Sequence, residues 1–150
     1  MEIYKADRTN VEAASEIFDL YRQFYGQPTN INACTNFLSE RFEKKDSRFF
    51  IALSFEGKPL GFIQLYPSFS SVAMKTMWYL NDLFVVQSAR RKGVASALLE
   101  HVKAYAKENN SFSLKLATAI DNGAAKTLYE KHGFVKVTAF DHYVFRTDTE

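Results

Sequence analysis

"LFVVQSARRKGVASALLEHVKAYA", Leu83 to Ala106, decides the fold, because an apolar run gives way there to a basic cluster, a glycine and an amphipathic pattern. Leu83, Phe84, Val85 and Val86 read as the end of a buried strand. From Val94, the residues Ala97, Leu98, His101, Val102 and Tyr105 recur at offsets of 3, 4, 7, 8 and 11, which is one face of a helix. Arg90, Arg91, Lys92 and Gly93 therefore fall at a helix N-terminus. That end already carries about half a positive charge and backbone N–H groups without partners. Basic side chains are unfavourable there unless an anion arrives, and a glycine lets the backbone approach that anion closely. On this segment alone two readings stay open: a pyrophosphate cradle, or an ordinary strand-to-helix turn with solvated arginines. Neither GxxxxGK[ST] nor GxGxxG is present.

Outward from this stretch the chain reads as alternating elements. "EIYKA" predicts a short first strand. Thr9 with Glu12 predicts a capping box, opening a helix on which Val11, Ala14, Phe18, Tyr21 and Tyr25 share a face up to Gly26. A second helix is predicted from about Asn32 to Lys45. "FFIALSF" and "LGFIQLY" flank "EGKP" as a hairpin. "SFSSVAMKT" reads as a loop or frayed strand, and "MWYLNDLFVV" as a long strand leading into the Gly93 turn. Beyond the long helix, "SFSLKLATA" predicts a strand and "GAAKTLYEKH" a short helix closed by Gly133. "FVKVTAF" and "HYVFR" predict terminal strands. The order predicts an α+β fold with a mixed sheet over one domain, 1–150, whose strands around the Gly93 helix run parallel because a helical crossover joins them.

Composition excludes several classes. Hydrophobic residues make up 47% of the 150, with 14 Phe and 8 Tyr, so the chain can bury a core and is not disordered. A formal charge of +2 argues against a nucleic-acid partner, and any positive patch must be local. The single cysteine, Cys34, reads as a buried structural thiol in a reducing compartment. "MEIYKADRTN" has no signal-peptide pattern, and no segment reaches the roughly 20 apolar residues of a membrane span. A cytoplasmic protein is expected. No histidine–carboxylate spacing predicts a metal site, and no G-x-S-x-G predicts a serine hydrolase.

The stretch that opens this section resembles the acetyl-CoA signature of the GNAT-family N-acetyltransferases, a strand followed by [QR]-x-x-G-x-[GA], here filled by Arg90, Gly93 and Ala95. Downstream, "NGAAKTLYEKHGF" is similar to that family's second cofactor element, with Asn122, Ala125, Leu128, Tyr129, Gly133 and Phe134 in place. The motif resemblance covers about Tyr79 to Phe134, and element order extends it over most of the chain. It implies a twisted mixed sheet flanked by helices, acetyl-CoA as cosubstrate and direct acetyl transfer to an amine. It also implies roles. Leu83, Phe84 and Val85 lie on the strand whose backbone pairs with the pantetheine arm. Arg91, Lys92, Gly93, Val94, Ala95 and Ser96 match the pyrophosphate segment, and Arg90 the motif's first position. Asn122, with Ala125 in the same element, matches the pantetheine contact, and Tyr129 the acid that protonates the leaving thiolate. Phe84 and Phe134 read as core.

"YLNDLFV" further resembles the "YLEDLFV" strand of the polyamine and small-amine branch, where glutamate accepts the amine's proton. Asn81 stands at that position and cannot accept a proton, so the role is vacant or has moved. Asp82 is the nearest ionisable residue, and strand alternation places it on the opposite face from Asn81 unless a bulge intervenes. His132, Asp141 and His142 are further candidates. His101, on the apolar face of its helix, reads as a core histidine. The acceptor implied is a small primary amine. A protein N-terminus or lysine is the alternative acceptor, a non-catalytic CoA-binding module the alternative of another class, and the resembling branch allows a homodimer.

Overall fold

A computed structural model describes residues 1–148. Strand β1 (Glu2–Lys5) is followed by helices α1 (Val11–Phe24) and α2 (Ile31–Lys44), the long meander β2 (Arg48–Leu53), β3 (Pro59–Ser70) and β4 (Lys75–Val85), then α3 (Val94–Glu108), β5 (Leu114–Lys115) and α4 (Gly123–Lys131). The five strands stand in the order β1-β2-β3-β4-β5, antiparallel throughout except for the parallel β4–β5 pair that the α3 crossover joins. The mixed α+β sheet read from the sequence is therefore present. The chain forms two compact units, Met1–Ala117 and Thr118 onward.

In the first unit each sheet face is covered by helices. Phe49, Ile51, Phe62 and Phe84 join Ala14, Ile17 and Phe18 of α1 and Cys34 and Leu38 of α2 in one buried cluster. On the other face Phe50 meets Tyr105 of α3, ring centroids 5.1 Å apart, and Leu98, Leu99 and Val102 of α3 are fully buried. Successive residues Phe49 and Phe50 thus serve opposite layers, as strand periodicity requires.

Several local expectations change. The capping box ahead of α1 is built on Asp7, not Thr9. Its carboxylate accepts from Thr9 N (2.9 Å) and Thr9 Oγ1 (2.5 Å), while Asn10 Oδ1 accepts from Asp7 N, so the box closes over a 3-10 turn, Arg8–Asn10. A carboxylate takes both donors, and the hydroxyl of Thr9 becomes one of them. The "SFSSVAMKT" stretch is the tip of a longer hairpin, since β3 runs on to Ser70 and β4 begins at Lys75. His101 is exposed, with its ring at the edge of Phe50, so it is not a core histidine. "SFSLKLATA" contributes only Leu114–Lys115 to the sheet, and no strand forms over 134–146. Alternating apolar residues supply strand propensity, but a strand exists only where a partner completes its ladder.

In the second unit, Asn122 caps α4, its Oδ1 accepting from Ala125 N at 3.1 Å. Gly133, at φ 89°, follows the last turn, and Tyr129 and Phe134 approach with ring centroids 5.8 Å apart.

Candidate active site

The strand-to-helix turn could take an anion. Arg91 (φ 62°) and Gly93 (φ 82°) both take left-handed conformations on either side of Lys92, and a left-handed residue beside a right-handed one is the pattern of backbone anion nests. No side chain caps α3, and a Cβ at Gly93 would meet nothing within 4 Å, so space lies open in front of the turn. Arg91 and Lys92 are exposed. Arg90 is committed elsewhere: its Nε donates to Val85 O (3.0 Å), and its guanidinium lies over the rings of Phe24 (5.3 Å) and Phe84 (5.9 Å). It braces the end of β4.

Gly61 sets where this turn sits. A Cβ there would lie 2.9 Å from Phe84 O, 3.0 Å from Val94 Cγ1 and 3.3 Å from Leu98 Cδ1. Only hydrogen at that position lets the first turn of α3 lie directly on the β3–β4 ladder. In the sequence the only sign of this contact is a glycine inside an apolar strand, which marks a close backbone approach.

The central feature of β4 is a bulge. Gln64 pairs with Asp82 and Leu65 with Leu80, leaving Asn81 as the extra residue. The slip reverses the facing of everything beyond it. Trp78 packs toward Tyr105 of α3, whereas Asp82 and Phe84 meet Tyr21 of α1, although all three positions are even-numbered. Strand alternation alone separates Asn81 from Asp82; the bulge brings them together, with Asn81 Nδ2 donating to Asp82 Oδ1 at 3.0 Å. The β4–β5 ladder covers only Trp78 and Tyr79, so the stretch of β4 that carries the bulge and Leu83–Val85 is paired on its β3 side alone.

Asp82 is 4% exposed and accepts from two further neutral donors, Tyr21 Oη (2.7 Å to Oδ1) and Gln64 Nε2 (2.8 Å to Oδ2). No ion pair reaches it among the described residues. Burial, then the Asp82 hydrogen bond and charge, raise the Tyr21 hydroxyl well above its ordinary pKa. Burial, then the Asp82 charge, push Tyr66 up to about 12. Both tyrosines therefore stay protonated through the working range, and Tyr21 acts as a hydrogen-bond donor. In the sequence Tyr21 reads only as a member of a helix face. The available sign of Gln64 was a lone amide inside the apolar run "LGFIQLY", an expensive residue to bury without a partner.

A second buried carboxylate, Asp19, has a structural task. It accepts from Asn30 N (2.7 Å), Thr29 Oγ1 (2.6 Å) and Gln23 Nε2 (2.9 Å), tying the α1–α2 connection to the end of α1. Burial raises its pKa, but the hydrogen bonds from Asn30, Thr29 and Gln23 outweigh that and hold it below the ordinary value. Cys34 lies buried beside it as an unoxidised thiol, its pKa raised first by burial.

Comparison with known proteins decides what this arrangement belongs to. Residues 14–134 match the acetyltransferase (GNAT) family. The chain is a member of the GNAT family. This N-acetyltransferase is 42% identical over 143 residues, 95% of each chain, to an uncharacterized N-acetyltransferase of Bacillus subtilis. It is 36% identical over 103 residues to a probable acetyltransferase of Haemophilus influenzae, covering 69% of this chain and 70% of that one. The crystal structure of a probable acetyltransferase, 37% identical, matches with a TM-score of 0.94 over 100% of both chains. The family uses acetyl-CoA as cosubstrate. In this acetyltransferase no helix among the described residues is long and apolar enough to cross a membrane, and no group of three or more His, Cys, Asp or Glu among them could hold a metal ion.

Proposed function

We propose that this acetyltransferase works as one domain in a reducing cytoplasm and moves the acetyl group of acetyl-CoA to the primary amine of a small molecule, as its resemblance to the polyamine and small-amine branch implies. The observation that carries this reading is the short path from the β4 bulge to the Gly93 turn. Strand β4 runs from the bulge at Asn81, beside the buried negative charge of Asp82, through Leu83–Val85, and a 3-10 turn, Gln87–Ala89, leads from its end to the uncapped turn at Gly93. An amine end and an anion end are thus built at the two ends of one short stretch of chain.

Acetyl-CoA supplies the thioester. Arg91 to Ser96 hold its pyrophosphate through the backbone concavity and the exposed Arg91 and Lys92 side chains. Leu83–Val85 present their open backbone edge to the pantetheine amides in the manner of an added strand. N–H groups freed beside the bulge face the thioester oxygen, where negative charge develops. Asn122 spends Oδ1 on the α4 cap and keeps its Nδ2 as a donor for the pantetheine. Tyr129, which stands at the acid's position in the resembling motif, donates the proton that the departing thiolate requires. Asn81 cannot take the amine's proton, which leaves to solvent past that exposed position.

The experiment is acetyl-CoA turnover across a panel of small amines, peptides with free N-termini and lysine peptides. Small amines turned over with peptides inert is the expected result. Turnover of peptides alone moves the acceptor to protein, and no turnover on any amine removes the reading.

A further inference from the structure

The acceptor end of β4 carries more information than the presence of a charge. Asn81 Nδ2 is fixed on Asp82 Oδ1, because only the donor side of the amide can face a carboxylate. Asn81 is exposed, so its free Oδ1 offers solvent a hydrogen-bond acceptor, polarised by the negative charge behind it. Such a group receives an ammonium or amine N–H and rejects an acid.

A chain of aromatic rings leads away from its partner Asp82. Tyr21, which shares Asp82 Oδ1 with Asn81, meets the ring of Tyr25 at 5.1 Å, and Tyr25 meets Phe24 at 5.3 Å. Phe24 and Tyr25 are 61% and 65% exposed, unlike the buried aromatics of the core. The far end of this wall already holds a cation, Arg90, 5.3 Å above the Phe24 ring. A second ammonium on an acceptor would meet that guanidinium with like charge, whereas a flat apolar body would cover the exposed rings.

We infer that the acceptor is a monoamine with an apolar body of about aromatic size, seated with its nitrogen at Asn81 and its body on Phe24 and Tyr25, and not a polyamine. Asp82 is the positioning residue that orients the Asn81 amide. The inference rests on the small-amine reading above and narrows it.

The test measures kcat/KM for 2-phenylethylamine, ethylamine and spermidine on the wild type and on the Tyr25→Ala, Phe24→Ala and Asp82→Asn variants. A preference for 2-phenylethylamine over spermidine of roughly 10-fold or more is expected. Tyr25→Ala and Phe24→Ala should raise KM for 2-phenylethylamine roughly 10-fold while moving the ethylamine KM far less. Asp82→Asn should raise KM for both monoamines, since the amide it orients serves the nitrogen common to both. Spermidine used as well as 2-phenylethylamine, or aromatic truncations that shift all three amines alike, would overturn the inference while leaving small-amine acetylation intact. Calorimetry of 2-phenylethylamine with the desulfo-CoA complex separates the two readings if turnover is absent. Binding weakened by Tyr25→Ala keeps the aromatic wall and sinks the transfer reaction, and no binding sinks both.

Discussion

Replacing Gly93 with glutamate tests the anion cradle where it is most exposed to refutation, provided glutamine is substituted in parallel. Gly93 sits at φ 82°, where any side chain strains the backbone, by about 1–2 kcal/mol. A Cβ there meets nothing within 4 Å, so both variants start into open space, and Glu and Gln are nearly isosteric beyond it. Strain and bulk are therefore common to both variants, and only the charge differs. A carboxylate about 6 Å from a diphosphate bearing about two charges, at an effective dielectric near 40, opposes it by about 3 kcal/mol. That corresponds to a roughly 100-fold difference in Kd between the two variants. Calorimetry with acetyl-CoA and with desulfo-CoA at low salt measures it, with Tm confirming that both variants fold. Raising the salt to about 1 M should close most of the gap, because the Debye length falls to about 3 Å. Equal Kd values for Gly93→Glu and Gly93→Gln would mean that no phosphate lies at this turn, whatever the absolute affinity of either.

Three further outcomes are expected. Tyr129→Phe keeps the ring that meets Phe134 and removes the hydroxyl, so kcat should fall by something like 10²-fold with acetyl-CoA affinity little changed; near wild-type kcat with chemistry rate-limiting would leave Tyr129 a packing residue. Gly61→Ala drives a methyl to 2.9 Å from Phe84 O, which should cost about 2 kcal/mol, lower Tm by roughly 5 °C and weaken acetyl-CoA binding by displacing the start of α3. An unchanged Tm would show that the helix yields there at no cost. Asp19→Asn should cost about 2 kcal/mol at neutral pH, since donors to a buried carboxylate lose their charged partner. Because the Asp19 pKa is lowered on folding, its contribution is complete above the unfolded value of about 4 and is lost as pH falls through the lower folded value. Urea melts of wild type and variant should therefore differ most near neutrality and converge toward pH 2, and a gap independent of pH would assign the stability to packing instead.

By itself the sequence determined the parts whose cause is local. The strand–turn–helix around Gly93 follows from apolar periodicity broken by a residue that tolerates positive φ, and the helix after Asn122 from a short run closed by the glycine at Gly133. Even the resemblance to the acetyltransferase family rests on those two contiguous segments. The acceptor end was not legible in the same way. Whether Asp82 stands beside Asn81 or behind it depends on one residue of slip against β3, and that register is chosen by the packing of two sheet faces at once. Tyr21 reaches Asp82 across 61 residues of chain, and no spacing within "FDLYRQFYG" records that partner. The segments after Phe134 make the same point from the other side: they carry a strand's alternation without forming a strand over 134–146. A helix closes its hydrogen bonds within itself and can be read from one run of residues. A ladder, a bulge and a buried carboxylate close theirs through distant residues, so only the folded chain decides them.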